Sequence, residues 1–389
     1  MSADELLKLV RGGETSRIQF KENVTNAVSI AQEMVAFSNS KGGQILIGIN
    51  DKTGKATGLN FQDIQRINNL LTTAANEHVK SPIIIETETV AVEDKQVIVV
   101  DVPEGIDKPY KDNSGLIFVK NGADKRKVIS NEELSRLLQG GGNLYAEEQI
   151  LRHCTYKDLN WYKFKRFYES TYKEPCEWEN RDRIFENLRL GKGGKPNLAA
   201  ALLFTDQPDK TLTGFFITAI WFWGNDIHEH EYRSSDNLKG NISEQYKQAY
   251  SFINAALRKV QAGQSFNSLG IPEVPSVVLE ELLINALIHR DYFIKDTIKL
   301  FLFENRIEIR SPGKLPNNLT TEQIKKGIRK KRNNILDSFA PAILNYRGAG
   351  SGILRALEAH PHIDFINDTQ AEQFTVIIHR PEEKRSSTG

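Results

Sequence analysis

The chain has 389 residues, with 51 Lys+Arg against 50 Asp+Glu and a net charge of +1. That balance excludes a polybasic protein held to phosphate by bulk charge, so any nucleic-acid surface must be a local patch. Two cysteines, Cys154 and Cys176, exclude a disulfide framework and a four-cysteine zinc site. The polar start MSADELLKLVRGGETS and the lack of a run of about 18 apolar residues exclude a signal peptide and a membrane span, so a soluble cytoplasmic protein is expected.

A short helix is predicted over residues 4–11, ended by Gly12 and Gly13, and an extended piece follows at 18–21. Ile30, Met34 and Phe37 recur at helical spacing and predict a helix over 24–38, which the stretch 39–43 (NSKGG) terminates. Residues 44–49 read as an apolar strand with a hairpin turn at 51–54. Further strands are expected at 83–87, 96–102 and 116–120, and a helix at 131–138. A glycine cluster at 140–142 then reads as a linker.

The middle segment opens with helical stretches rich in aromatics (Trp161, Tyr162, Phe164, Phe167, Tyr168) and a glycine turn at 191–194. A mostly apolar stretch at 196–204, a buried strand at 215–223 and a helix over 243–262 follow. The third segment has Ser276 as N-cap of an apolar helix over 277–287 and strands at 297–303 and 306–310. A basic helix over 321–332, a glycine loop at 347–352, a helix from Ile353 and a last strand at 374–380 complete it. The expected divisions are 1–142, 143–270 and 271–381, with a tail at 382–389, in an α+β chain without internal repeats.

Within LEELLINALIHRDY, Glu281, Asn285 and His289 are spaced i, i+4 and i+8 and share one stripe of a greasy helix. Polar groups there are costly unless partnered, so the stripe should face a polar cavity or another network. Downstream lie Ser311 and Gly313 after a strand, then Gly348, Gly350 and Gly352 leading into a helix. Glycines in such places let backbone N–H groups approach phosphates, helped by the positive end of the helix. An Asn carbonyl can hold Mg²⁺, and a carboxylate one turn away can orient a water for attack on a γ-phosphate.

That order of elements resembles the GHKL (Bergerat-type) ATPase plan. EELLINALIHRDY, SPGKLP and RGAGSGILRALE look like its divergent branch in RecG-related bacterial regulators. The resemblance implies a C-terminal GHKL-like α/β sandwich that binds ATP and Mg²⁺. Asn285 would be the metal ligand and Glu281 the general base. His289, Ser311, Gly313, Gly348, Gly350 and Gly352 would complete the cofactor site. GHKL proteins read the adenine amino group with an Asp where this chain has Ser311, which can accept a hydrogen bond but carries no charge. His289-Arg290-Asp291 fails as a kinase catalytic loop, because Asp296 stands where Asn is needed and no D-F-G follows.

The series ETSRIQFKE, AFSNSKGGQILIGIND, Gly58-Leu59 and GLIFVKNG resembles the AlbA-like domain of Schlafen proteins. Some Schlafen relatives cut RNA with three acids that hold divalent ions. Their positions fall here on Glu14, Gln19 and Asn50, and the two neutral amides bind such ions poorly, which disfavours a ribonuclease. Lys21, Lys41, Lys120, Lys125, Arg126 and Lys127 remain as a surface for nucleic acid.

Arg329, Lys330, Lys331 and Arg332, with Lys325 and Lys326, place six cations in eight positions, dense enough for phosphates of DNA, RNA or a nucleotide. His228 and His230 are spaced for a metal on a strand face but lack a third ligand nearby. The expectation is a nucleic-acid-binding regulator of bacteria or archaea, akin to a transcriptional regulator, with a divergent ATP site and at most weak ATPase activity. A homo-oligomer is compatible with it. A metal-dependent ribonuclease and a scaffold without catalysis are the alternatives. Relatives often add a winged helix behind the GHKL-like part, and the short stretch after Arg380 carries the expectation that this DNA reader is missing.

Overall fold

The computed structural model describes residues 1–92, 94–227, 231–260, 270–316, 319–344 and 351–381. The chain divides into two compact units, Met1–Leu144 and Tyr145–Gly389.

The first unit begins with α1 (Ala3–Arg11), started by a capping box in which the Ser2 hydroxyl accepts from Glu5 N and the Glu5 carboxylate accepts from Ser2 N. β1 (Ile18–Lys21), α2 (Ala27–Asn39), β2 (Gly43–Ile47) and α3 (Phe61–Glu77) follow. The hairpin of β3 (Glu86–Val92) and β4 (Lys95–Val102) completes a sheet of order β1-β2-β4-β3, with β1 and β2 parallel. Both faces of the two central strands are covered, which explains their unbroken apolar runs. Ile45, Ile47, Ile98 and Val100 pack with α2 and α3 residues such as Met34, Phe37, Ile67 and Leu71. Leu46, Val97 and Val99 face the other way, toward Leu6 of α1. A second hairpin, β5 (Phe118–Asn121) and β6 (Asp124–Lys127), and α4 (Asn131–Gly140) end the unit.

In the second unit, α5 (Trp161–Tyr172), α6 (Arg181–Asn187) and α7 (Leu198–Phe204) gather the aromatics read from the sequence, with Phe164, Phe185 and Phe204 fully buried. β7 (Ile217–Phe222), β8 (Tyr232–Leu238), α8 (Ile242–Ala256), α9 (Ser276–His289), β9 (Ile298–Leu302) and β10 (Arg306–Pro312) come next. After them come α10 (Thr321–Lys325), α11 (Asn334–Ile343), α12 (Gly352–Ala359), β11 (Ile363–Asp368) and β12 (Gln373–His379). The six strands form one sheet of order β8-β7-β9-β10-β12-β11, parallel only between β7 and β9. One hydrophobic core runs through residues of both the middle and the third segments, from Ala146 to Ile378. α9 is apolar nearly all round because Leu279, Leu282, Leu283 and Leu287 belong to that core, together with the strand residues Leu300, Ile307 and Ile309.

Two local expectations change. The basic helix stops at Lys325, because Gly327 turns into the left-handed region (φ +81°) and a Cβ there would lie 2.9 Å from Leu354. Residues 326–332 are therefore not helical. At the end of the strand expected to be buried over 215–223, Trp223 is half exposed, with the Arg233 guanidinium 4.3 Å from its ring centroid.

Candidate functional site

A cleft in the second unit brings together most of the stripe, the serine-glycine turn and the basic run. Its lining includes Asn285 and His289 of α9, Ser311 at the end of β10, Gly313, and Lys314, Arg329, Lys330 and Arg332. Apolar side chains, among them Leu282, Ile309, Leu319, Ile324, Phe365 and Phe374, make up much of the rest, and Gly352 and Ile353 bring in the start of α12. Gly348 and Gly350, together with His228 and His230, lie outside the described residues.

Glu281 and Asn285 part company at this cleft. The Asn285 amide donates to the Glu281 main-chain oxygen at 2.6 Å, and Asn285 lines the cleft. The Glu281 carboxylate, 4 % exposed, is absent from that lining and is ion-paired with Arg355 of α12. Its second oxygen and the Arg355 Nε are buried without a hydrogen-bond partner among the described residues. His289 carries a buried Nδ1 in the same condition. Burial pushes its pKa down to about 4; Arg329, Arg332 and Lys331 add to the fall and Asp337 opposes it, so the ring is neutral at pH 7.

Ser311 donates its hydroxyl hydrogen to Ala286 O at 3.2 Å and so ties β10 to α9. Gly313 has φ +99°, and a Cβ on it would sit 2.4 Å from the Asp291 Cβ. Sterics and backbone conformation both demand glycine there.

The basic run is pinned from behind. Asp337, on α11, receives two hydrogen bonds from Arg329 at 3.2 and 2.9 Å and an ion pair from Lys331 at 2.5 Å. Arg332 donates to His289 O at 3.1 Å and to Lys314 O. The buried Asn333 amide donates to Ile288 O and Arg290 O at 2.8 and 2.9 Å, satisfying carbonyls at the end of α9. The N-terminus of α11 is in turn held by Glu147, whose carboxylate accepts from Ile335 N and Leu336 N, both at 2.8 Å. Sequence reasoning misses Arg355, Asp337, Asn333 and Lys314. Only Arg355 has a local signal, one helical turn beyond Gly352.

Magnesium on Asn285 finds little support in this donor set. Among the described lining residues no carboxylate is present, and a hard cation that wants about six oxygens is offered one amide oxygen and a serine hydroxyl amid four cationic side chains.

In the first unit the three Schlafen positions are committed to protein partners. Glu14 accepts from the Gln19 side-chain amide and, at 2.7 Å, from Phe20 N. Asn50 accepts from Lys52 N and Thr53 N at 3.1 and 2.9 Å in a local turn. Among the described residues no group of three or more His, Cys, Asp or Glu is placed to hold a metal. Lys120 is buried, contrary to its expected place on a surface: its ammonium donates to Gln19 Oε1 at 2.8 Å and lies 3.7 Å from Glu33. Burial lowers its pKa, against the pull of Glu33 and Glu14. Lys125 pairs with Glu33 at 3.1 Å and Arg126 with Glu133, while Lys41 and Lys127 are exposed and Lys21 half-buried.

Two family matches fall on either side of the same division. Residues 14–129 match the family described as "Schlafen, AlbA_2" and residues 295–378 match that described as "Putative ATP-dependent DNA helicase recG C-terminal". An uncharacterized ATP-binding protein of Ureaplasma parvum is 29% identical over 170 residues, which are 41% of this chain and 47% of that protein. The match thus spans about half the length of that curated relative. Among solved structures, the DIP2311 protein of Corynebacterium diphtheriae aligns with 94% of this chain and 65% of its own at 19% identity and a TM-score of 0.46. The N-terminal domain of a RecG-related protein from Nitrosomonas europaea aligns over 96% of its length and 34% of this chain, at 23% identity and a TM-score of 0.25. No helix among the described residues is long and apolar enough to cross a membrane.

Proposed function

Because the chain joins a Schlafen AlbA_2 domain to an ATPase domain of the RecG C-terminal type, we propose that it is a nucleic-acid-binding regulator whose second unit holds ATP. The observation that carries the nucleotide part is the cleft lining. It combines apolar side chains with four cations, Lys314, Arg329, Lys330 and Arg332, and no described carboxylate. A ligand that joins a flat apolar ring to an anion satisfies both kinds of lining. Ser311 supports adenine as that ring. Its hydrogen is spent on Ala286 O, so its lone pairs are left to accept from an amino group, and it has no donor for a carbonyl. Gly352, opening α12 at the cleft, would offer the positive end of a helix to phosphate.

Glu281 held by Arg355 supports binding ahead of turnover, since a general base must lie within hydrogen-bond reach of its water and this carboxylate is absent from the cleft lining. Nucleic acid would meet the first unit on Lys41 and Lys127, with Lys125 and Arg126 beside Lys127 in sequence and Lys21 at the end of β1. Cleft occupancy would then set the affinity of that surface.

A thermal-shift series with ATP, GTP and ADP tests the nucleotide part: a ligand at a hundred times its Kd stabilises by about 2.7 kcal/mol. ATP is expected to shift the melting of the second unit more than GTP. A flat response to all three refutes the site. Oligonucleotide affinity that is identical with and without ATP refutes the regulatory coupling.

A further inference from the structure

We infer that the cleft takes its nucleotide as the metal-free polyphosphate, with Lys314, Arg329, Lys330 and Arg332 supplying the positive charge that magnesium supplies elsewhere. The inference rests on the reading of the cleft as a nucleotide site and says which ionic form of the ligand enters it.

Three observations point the same way. First, the cations are set before a ligand arrives. Asp337, 9 % exposed, grips Arg329 and Lys331 from behind, and Arg332 is fixed by His289 O and Lys314 O. Fixed guanidinium groups bind phosphate oxygens with little ordering cost. Second, two of the acids near the cleft are spent elsewhere. Glu281 is closed by Arg355, and Asp337 by its two cations. Third, the neutral His289 offers a ring nitrogen, which magnesium does not favour over oxygen.

Magnesium on the phosphates would bring like charge against these side chains. It would also cover the oxygens they reach for and cancel part of the ligand's negative charge. Magnesium therefore competes with the protein for ATP.

Isothermal calorimetry on the full chain separates the cases. ATP is titrated in EDTA and, at matched ionic strength, in saturating MgCl₂, with inorganic tripolyphosphate as a second probe. The expected result is about tenfold tighter ATP binding in EDTA, about 1.4 kcal/mol, with tripolyphosphate competing. In an Arg329→Gln/Lys330→Gln variant, with the native fold checked by circular dichroism, the EDTA affinity falls and the gap between the two conditions narrows. Equal affinity, or tighter binding with MgCl₂, overturns the inference and leaves the nucleotide site standing. No heat under either condition overturns the site itself and the inference with it.

Discussion

Replacing Glu147 by Gln should remove a pH dependence from the stability of the second unit. The Glu147 side chain is fully buried, and its carboxylate caps α11 by accepting two main-chain hydrogen bonds. Burial raises its pKa from 4.5 to about 7, outweighing those bonds, which act to lower it; Glu148 adds to the rise. A raised folded-state value means that the folded chain keeps a proton that the unfolded chain has lost. The stabilising contribution is complete below pH 4.5 and fades as pH climbs through about 7. The gap between the two values corresponds to about 3 kcal/mol at most. All four tryptophans, Trp161, Trp178, Trp221 and Trp223, belong to the second unit, so their fluorescence in a urea titration reports that unit alone. The buried, neutral His289 adds the same rise of stability with pH to both proteins up to about 6.5, so the readout is the difference: between roughly pH 5 and 8 the native chain should lose stability relative to Glu147→Gln. Equal slopes in the two proteins would refute the assignment of the titration to this carboxyl.

Gly313→Ala should lower the melting temperature by the equivalent of about 2–3 kcal/mol and weaken ATP binding, because it meets both an unfavourable φ and the Asp291 side chain. Arg355→Ala should cost about 2–3 kcal/mol by orphaning buried Glu281, whereas Glu281→Gln/Arg355→Met should recover most of that in denaturation. Reversing Lys41 and Lys127 to Glu should reduce the salt slope of oligonucleotide binding by roughly one for each phosphate no longer neutralised, with circular dichroism unchanged. An unaltered slope would remove these lysines from the nucleic-acid surface.

Legibility follows the strength of local pattern. α2, β2 and α9 stand out because Ile30, Met34 and Phe37, the run 45–47, and the greasy 277–288 stretch each carry a strong period or a continuous apolar run. α3 escapes such a reading although Asn60 caps it and Ile67, Leu71 and Ala74 are buried along it; its many polar residues blunt the signal. β8, YRSSDNL, is an edge strand with mostly exposed side chains, and nothing in its composition marks a strand. At the site, the grouping of Asn285, His289, Ser311 and Gly313 is readable from order and spacing. The partner that closes Glu281 lies 74 residues away, and the amides held by Glu147 lie 188 and 189 away. Pairings at such separation depend on the folded core and leave no trace in a local window.

The parallel pairing of β7 with β9 bears on how this protein can be dissected. The ATPase-family match begins at residue 295, just before β9 and after the helix that carries Asn285. A fragment cut to the matched residues would strip β9 of a neighbour it bonds along its whole length, from Ile298 to Leu302. It would also bare the apolar flank that α8 and α9 shelter, leaving a sticky open border primed for self-association. Residue 145, far upstream of the match, is the natural place for the cut.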